Sequence, residues 1–97
     1  MKSKIIPTEN FQRKAKPLLK KHASLMSELE GLAEQLLQNP YLGTAVRENI
    51  YKIRLAVKSK GKGKSGGMRV LTYVFEVEMV VEEVAEQDVT VFLLTIY

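Results

Sequence analysis

The segment Tyr51–Tyr73 constrains the fold most strongly, because it reads as two strands joined by a loop of glycine, serine and lysine. From residue 50 to residue 58 apolar side chains alternate with a mostly basic set; the two sets are Tyr51, Ile53, Leu55 and Val57, and Lys52, Arg54, Ala56 and Lys58. Successive side chains of a strand point to opposite faces. Residues 50–57 are therefore predicted to form a strand with one core-facing side and one basic side.

Positive charge is concentrated in the same part of the chain. The protein has 97 residues and a formal net charge of +4. Seven basic residues and no acidic one lie between residues 49 and 75: Lys52, Arg54, Lys58, Lys60, Lys62, Lys64 and Arg69. Residues 76–97 carry six acids and no base. A basic patch of this kind favours a polyanionic partner, although blocks of opposite charge are equally able to pair with each other.

The first forty residues predict a pair of helices. Thr8 or Asn10 can cap a helix that extends to about His22, with Pro17 predicting a kink or a later helix start. A second helix is expected from Ser24 to the Asn39-Pro40 pair. Its stripe of leucines at helical spacing consists of Leu25, Leu29, Leu32, Leu36 and Leu37.

The remaining elements complete the predicted order. We expect a short strand at Lys4–Ile6, a loop over residues 40–49, a second strand at Met68–Val77 and a turn within Glu82–Asp88. A last strand at Val89–Tyr97, apolar on both faces, is predicted to be central. The order β-α-α-β-β-β indicates a single α+β domain over residues 1–97, a helix hairpin packed on a small, mostly antiparallel sheet.

Composition narrows the classes of function. The chain has no cysteine and one histidine, which excludes disulfides and thiolate or histidine-cluster metal sites. We expect neither a metal nor a cofactor. No apolar run approaches the roughly 18 residues of a membrane span, and the N-terminal apolar run is too short for a signal peptide. The expectation is a soluble cytoplasmic protein.

Three basic side chains are candidates for catalysis. Lys52 and Arg54 point the same way on one strand, and Arg69 begins the next strand. Converging cations hold a phosphodiester, offset charge in the transition state and lower one another's pKa, so that a lysine can act as a general base. Because RNA supplies its own nucleophile, the 2′-hydroxyl, cleavage needs no metal. The alternative interpretation is that these basic residues are only the solvated face of an amphipathic strand.

Further residues are candidates for RNA binding. The loop lysines are predicted to form a mobile polycationic segment that contacts phosphates without base specificity; they are Lys58, Lys60, Lys62 and Lys64. Tyr73 is a candidate for stacking on a base or for the core. Tyr97 is a candidate for stacking on a base or for donating a proton. The alternative is that it is a frayed end of the chain.

Three segments together resemble toxins of the RelE/ParE superfamily of bacterial type II toxin–antitoxin modules. They are YKIRL at 51–55, GMRVLTYVFEV at 67–77 and VFLLTIY at 91–97, after a basic helix pair. The resemblance covers nearly the whole chain and implies a microbial-RNase-like α+β fold. RelE-type members cleave mRNA in the ribosomal A site without a metal, ParE-type members poison DNA gyrase, and a cognate antitoxin inhibits both.

The resemblance also implies roles for single residues. Lys52 matches the candidate general base, Arg54 a phosphate contact and Arg69 a transition-state stabiliser. This set favours the RelE branch, a ribosome-dependent mRNA endoribonuclease whose partners are its antitoxin, mRNA and rRNA. RelE-type toxins continue beyond the last strand with a charged tail, so a toxin domain without that tail is expected here. The alternatives are a ParE-like gyrase inhibitor, and an inactive truncated toxin that only binds antitoxin or RNA.

Overall fold

The computed structural model describes residues 2–60 and 67–97 and shows two helices on one face of a five-stranded mixed sheet. The elements in chain order are β1 (Lys2–Pro7), α1 (Glu9–Lys21), α2 (Leu25–Gln38), β2 (Thr44–Arg47), β3 (Ile50–Leu55), a 3₁₀ turn (Lys58–Lys60), β4 (Met68–Val81) and β5 (Val84–Ile96). The strand order across the sheet is β1-β5-β4-β3-β2. β1 and β5 are parallel, and the other neighbours are antiparallel. The predicted α+β class is confirmed.

The prediction of a loop over residues 40–49 is wrong for Thr44–Arg47, which form the edge strand β2. All four residues are exposed, so no apolar alternation marks them in the sequence. A two-residue turn joins β2 to β3, and its Asn49 has a φ of 66° that asparagine tolerates. The order of elements is therefore β-α-α-β-β-β-β and not β-α-α-β-β-β.

The start of α1 is fixed by side-chain capping. The Thr8 hydroxyl accepts a hydrogen bond from the Phe11 N–H at 3.2 Å and donates one to the Leu93 carbonyl at 2.7 Å. α1 continues through Pro17, so the alternative of a helix that begins near Pro17 is wrong. Ser24 occupies the N-cap position of α2 but makes no capping bond with its side chain.

The core lies between the helices and one face of the sheet. Phe11 and Ala15 of α1 and three leucines of α2 meet apolar side chains from β3, β4 and β5; the sheet residues include Ile53, Val70, Val91, Leu93 and Ile96. The predicted leucine stripe of α2 is buried at three of its positions, whereas Leu37 is 46% exposed, so its assignment to the stripe is wrong. Burial of apolar area is the main favourable term in folding. We call the side of the sheet away from the helices the open face.

The open face consists of alternate strand residues in register. Its members are Lys2, Lys4 and Ile6 of β1, Asp88, Thr90 and Phe92 of β5, Arg69, Leu71, Tyr73, Phe75 and Val77 of β4, and Ile50, Lys52 and Arg54 of β3. Most of these side chains are exposed or half-buried. The fold thus leaves a mixed basic and apolar surface without a helix layer.

β4 and β5 are longer than predicted and extend beyond the other strands. The last β3–β4 pair is Ile50 with Tyr73, and the last β1–β5 pair is Lys2 with Asp88. Residues 78–87, which we call the arm, therefore pair only with each other. The arm explains why the molecule measures 52 × 22 × 20 Å.

Candidate anion-binding site on the open face

Two arginines face each other across neighbouring strands. Arg54 of β3 lies directly opposite Arg69 of β4, and Lys52 is two residues from Arg54 on the same face. Residues directly opposite in an antiparallel pair have their Cβ atoms about 4.5–5.5 Å apart. The structure therefore brings the three candidate cations to one surface, with Lys52 about 7 Å along the strand from Arg54.

Tyr97 lies on the other side of Arg69. The Arg69 N–H donates to the Tyr97 carbonyl at 2.8 Å, and the Tyr97 N–H donates to the Arg69 carbonyl at 3.0 Å. Arg54, Arg69 and Tyr97 therefore form one row across three strands. The Tyr97 side chain is 58% exposed, so it is accessible on the face that carries Arg69.

A β-bulge in β5 directs Tyr97 to this face. Leu71 pairs with Thr95 and Thr72 pairs with Leu93, which leaves Leu94 as the extra residue. An extra residue reverses the alternation of the chain that follows it. Ile96 consequently enters the core, where it is buried, and Tyr97 faces outwards with Arg69.

The beginning of α1 holds this bulge in place. The Leu94 carbonyl accepts a hydrogen bond from the Asn10 side-chain amide at 2.9 Å, and the Thr8 hydroxyl, which donates to the neighbouring Leu93 carbonyl at 2.7 Å, lies 3.2 Å from it. A bulge leaves a backbone group outside the strand ladder, and the Asn10 amide satisfies it. Asn10 and Thr8 are thus positioning residues for Tyr97, a role that sequence reasoning missed because it depends on a contact across 84 residues.

The two arginines also line a cavity of about 270 Å³ at the end of β3 and the beginning of β4. Its other walls are Leu55, Ala56, Gly67 and Met68. At about 30 Å³ per water molecule, this space accommodates a phosphate group together with bound water. The cavity is therefore large enough for an anion such as phosphate, and Arg54 and Arg69 both belong to its lining.

Repulsion between the arginines supports an anionic ligand. Like charges directly opposite in a sheet destabilise it by about 0.2–1 kcal/mol relative to neutral pairs. The other sheet partners of these cations are Thr44 and Leu71 for Lys52 and Tyr97 for Arg69, and none of them is acidic. A phosphate bound between the two arginines would relieve this repulsion.

The lysines of the predicted loop divide into two groups. Lys58 and Lys60 belong to the 3₁₀ turn, which the first residues of α2 hold in place. The Lys58 N–H donates to a Glu28 carboxylate oxygen at 2.7 Å, and the Ser59 N–H donates to the Ser24 hydroxyl at 2.9 Å. These two lysines therefore belong to a short 3₁₀ turn that hydrogen-bonds to the beginning of α2. Lys62 and Lys64 lie outside the described residues.

We call Lys52, Arg54, Arg69 and Tyr97 together the cationic row; Tyr73 belongs to the open face but not to this group. It is four residues from Arg69 along β4, about 13 Å at the usual strand rise. Its half-buried ring packs against Phe92, with 6.5 Å between centroids and 51° between planes. Lys4 of β1, which sequence reasoning did not select, shares a row with Thr90 and Phe75 on the same face. The alternation of Lys2, Lys4 and Ile6 is the signal that places it there.

Comparison of the chain with protein-family models, with curated proteins and with solved structures finds no match. Within residues 2–60 and 67–97, no group of three or more histidine, cysteine, aspartate or glutamate side chains has an arrangement suited to a metal ion. None of the helices described above combines the length and the apolar character needed to cross a membrane.

Proposed function

We propose that this protein is a RelE-like toxin, a metal-independent endoribonuclease that cleaves mRNA on the ribosome and is inhibited by a cognate antitoxin. The observation that carries the proposal is the pair Arg54–Arg69, with Lys52 beside it on the face opposite the one on which α1 and α2 pack. The sequence resemblance supplies the RelE-like assignment and the roles of these three residues. The site of action is the bacterial cytoplasm, where translating ribosomes supply the substrate.

The proposed reaction uses the groups of the cationic row. Arg54 and Arg69 bind the scissile phosphate and stabilise the negative charge of the pentacovalent transition state. Lys52 in its neutral form takes the proton of the adjacent 2′-hydroxyl, and that oxygen attacks phosphorus. The bond from phosphorus to the 5′-oxygen breaks, and the 5′-oxygen takes a proton, for which the Tyr97 phenol is a donor. The products are a 2′,3′-cyclic phosphate and a 5′-hydroxyl.

Other side chains contribute to the affinity for RNA in this proposal. Tyr97 is next to the phosphate site, so its ring can also stack on the base beside the scissile bond. Tyr73 lies farther along the same face and is a second stacking candidate. Lys58, Lys60, Lys62 and Lys64 contribute contacts to phosphate or rRNA that are independent of base identity. Binding through such contacts weakens steeply as the salt concentration rises.

The direct test is mapping of mRNA ends on translating ribosomes with the purified protein. We expect cleavage by the unaltered chain and a loss of at least about 100-fold in Lys52→Ala and in Arg69→Ala, the usual cost of removing a transition-state contact. Lys14→Ala is the matched control, because Lys14 is an exposed cation of α1 on the other side of the sheet, and it should cleave like the unaltered chain.

Three other results would contradict the proposal. DNA damage with intact translation would indicate the gyrase-inhibitor class. RNA binding that depends on Lys52 and Arg69 without any cleavage would indicate a binding module. Cleavage that survives both substitutions would place the active site elsewhere.

A further inference from the structure

A second cavity lies on the open face, towards the end opposite the cationic row. Its volume is about 710 Å³, within the range of roughly 300–1,000 Å³ that is usual for small-molecule sites. The side chains used below come from three adjacent strands; they are Lys2 and Lys4 of β1, Asp88 and Thr90 of β5, and Phe75 and Val77 of β4. We call this space the Asp88 cavity. It shares no residue with the cavity at Arg54 and Arg69.

Strand register explains the arrangement of these side chains. Thr90 lies between Lys4 and Phe75, and Asp88 lies between Lys2 and Val77. The two β5 residues form the floor, where Thr90 is only 9% exposed. The flanking strands β1 and β4 are two strand spacings apart, about 9.6 Å. The cavity is therefore a groove with a basic wall on β1 and an apolar wall on β4.

Asp88 provides a hydrogen-bond acceptor that has no donor. Its side chain is half-buried, and its Oδ1 atom is shielded from solvent without a hydrogen-bond partner in the described part of the chain. A carboxylate oxygen in this position costs free energy, which a hydrogen bond from a ligand would offset. Because the terminal torsion of aspartate is broad, a small rotation lets both oxygens accept from one ligand.

The lining favours a ligand that has donors but no positive charge. The two lysines outnumber the one aspartate, so they repel a cation such as an arginine side chain and attract a phosphate. Glu86, the next acid along this face of β5, lines a separate small cavity and not this one. The Phe75 side chain is 48% exposed, and an aromatic ring of this kind can stack on a nucleobase. A nucleotide combines the donor, the ring and the phosphate.

Among the four RNA bases, guanine matches Asp88. A carboxylate has two oxygens that only accept hydrogen bonds. The Watson–Crick edge of guanine carries two adjacent donors, N1–H and the N2 amine, whereas adenine and cytosine have one donor beside an acceptor nitrogen. The one donor of uracil lies between two carbonyl oxygens, which a carboxylate repels.

We propose that the Asp88 cavity binds a guanine base. N1 and N2 of the base donate to the Asp88 carboxylate, the ring stacks on Phe75, and the attached phosphate lies at the basic wall of Lys2 and Lys4. The base belongs either to a free nucleotide or to single-stranded RNA.

The RNA source rests on the proposed function, whereas the free-nucleotide source does not. Phe75 is six residues from Arg69 along β4, about 20 Å. A guanine of bound RNA would therefore lie several nucleotides from the phosphate at the cationic row and would give the protein a sequence preference. Guanine binding in a chain that does not cleave RNA would contradict the proposed function and leave the cavity assignment intact.

Binding of the full chain to short single-stranded RNAs tests the proposal by fluorescence anisotropy. The RNAs are uridine oligomers with one central guanosine, inosine or adenosine; GMP and AMP, measured by calorimetry, are the free-nucleotide probes. We expect guanine to bind at least about tenfold more tightly than adenine in one or both formats, about 1.4 kcal/mol. Inosine lacks the N2 amine, so its oligomer should bind less tightly than the guanosine oligomer wherever RNA shows the preference.

Two variants assign the preference to Asp88. Asp88→Asn should abolish it, because one of the two acceptors becomes a donor. Glu78→Gln is the matched control and should keep it, since Glu78 is an exposed acid on the opposite face of the arm. Circular dichroism checks that both variants are folded.

The outcomes decide for or against the site. A preference for guanine that is lost in Asp88→Asn and kept in Glu78→Gln supports it, and the format that shows the preference identifies the source of the base. Equal affinity for guanine and adenine in both formats overturns the proposal, as does a preference that survives Asp88→Asn. The comparison of guanine with adenine uses the unaltered chain, so it decides the matter even if a variant fails to fold.

Discussion

At the scale of single residues, we expect the Arg54–Arg69 pair to lower the stability of the fold and to raise its affinity for RNA. Arg54→Gln removes the repulsion between the two strands, so the free energy of unfolding should rise by about 0.2–1 kcal/mol at low salt. The affinity for RNA should fall at the same time, because one phosphate contact is lost. Urea denaturation and RNA titration of the same variant measure the two effects.

Salt provides the internal control for this prediction. At about 1 M salt the Debye length is about 3 Å, so the stability difference between Arg54→Gln and the unaltered chain should nearly vanish. A variant that is less stable at low salt would show that Arg54 makes a favourable contact and would contradict the repulsion.

Substitution of glycine by alanine is expected to have opposite effects on stability at two positions. Gly43 has a φ of +102°, and a Cβ there would approach the Lys52 carbonyl oxygen at 2.5 Å. Gly43→Ala should therefore destabilise the fold by about 1–3 kcal/mol and displace the strand segment that carries Lys52. Gly31 lies in α2, where an added Cβ meets nothing within 4 Å, so Gly31→Ala should stabilise by about 0.5–1 kcal/mol. Thermal or urea unfolding compares the two; equal effects would contradict the account.

At the scale of elements, the turn of the arm is strained. Glu82 and Glu83 have φ values of 50° and 69°, in a two-residue turn where Asn-Gly is favoured. Replacing the pair by Asn-Gly should stabilise the arm by about 1–3 kcal/mol, and slow the amide hydrogen exchange of residues 78–87. The double change to glutamine is the control, since it removes both charges and keeps the backbone strain. Equal protection in the two variants would assign the effect to charge.

Sequence patterns predicted the elements that have a buried stripe. The leucine spacing predicted the position of α2, and the alternation of apolar and basic residues predicted the position of β3, because only one side of each element meets the core. β2 was missed because all four of its residues are exposed. The strands of the arm were predicted too short, because their glutamates and the exposed Val80 interrupt the pattern expected of a half-buried strand.

The candidate site was predictable only where it depends on neighbours in the chain. Lys52 and Arg54 share a face by alternation, which the sequence shows directly. The pairing of Arg54 with Arg69 depends on strand register across a long connection. The place of Tyr97 depends on a bulge at Leu94 that α1 stabilises from the other end of the chain. Such long-range hydrogen bonds leave no periodic signal.

At the scale of the whole molecule, the basic candidates for phosphate binding are grouped at one end of the open face. Lys52, Arg54 and Arg69 lie at this end, whereas Lys2 and Asp88 are neighbours near the other end. The first end is suited to a phosphodiester.

The most direct measurement is cleavage of ribosome-bound mRNA with a single 2′-deoxynucleotide at the mapped cut position. We expect cleavage of the all-ribose mRNA, with a 2′,3′-cyclic phosphate or 3′-phosphate end. The deoxy substitution should abolish cleavage at that position while RNA binding, lost on Arg69→Ala, is retained. Cleavage of the deoxy mRNA would contradict attack by the 2′-hydroxyl at a cationic site.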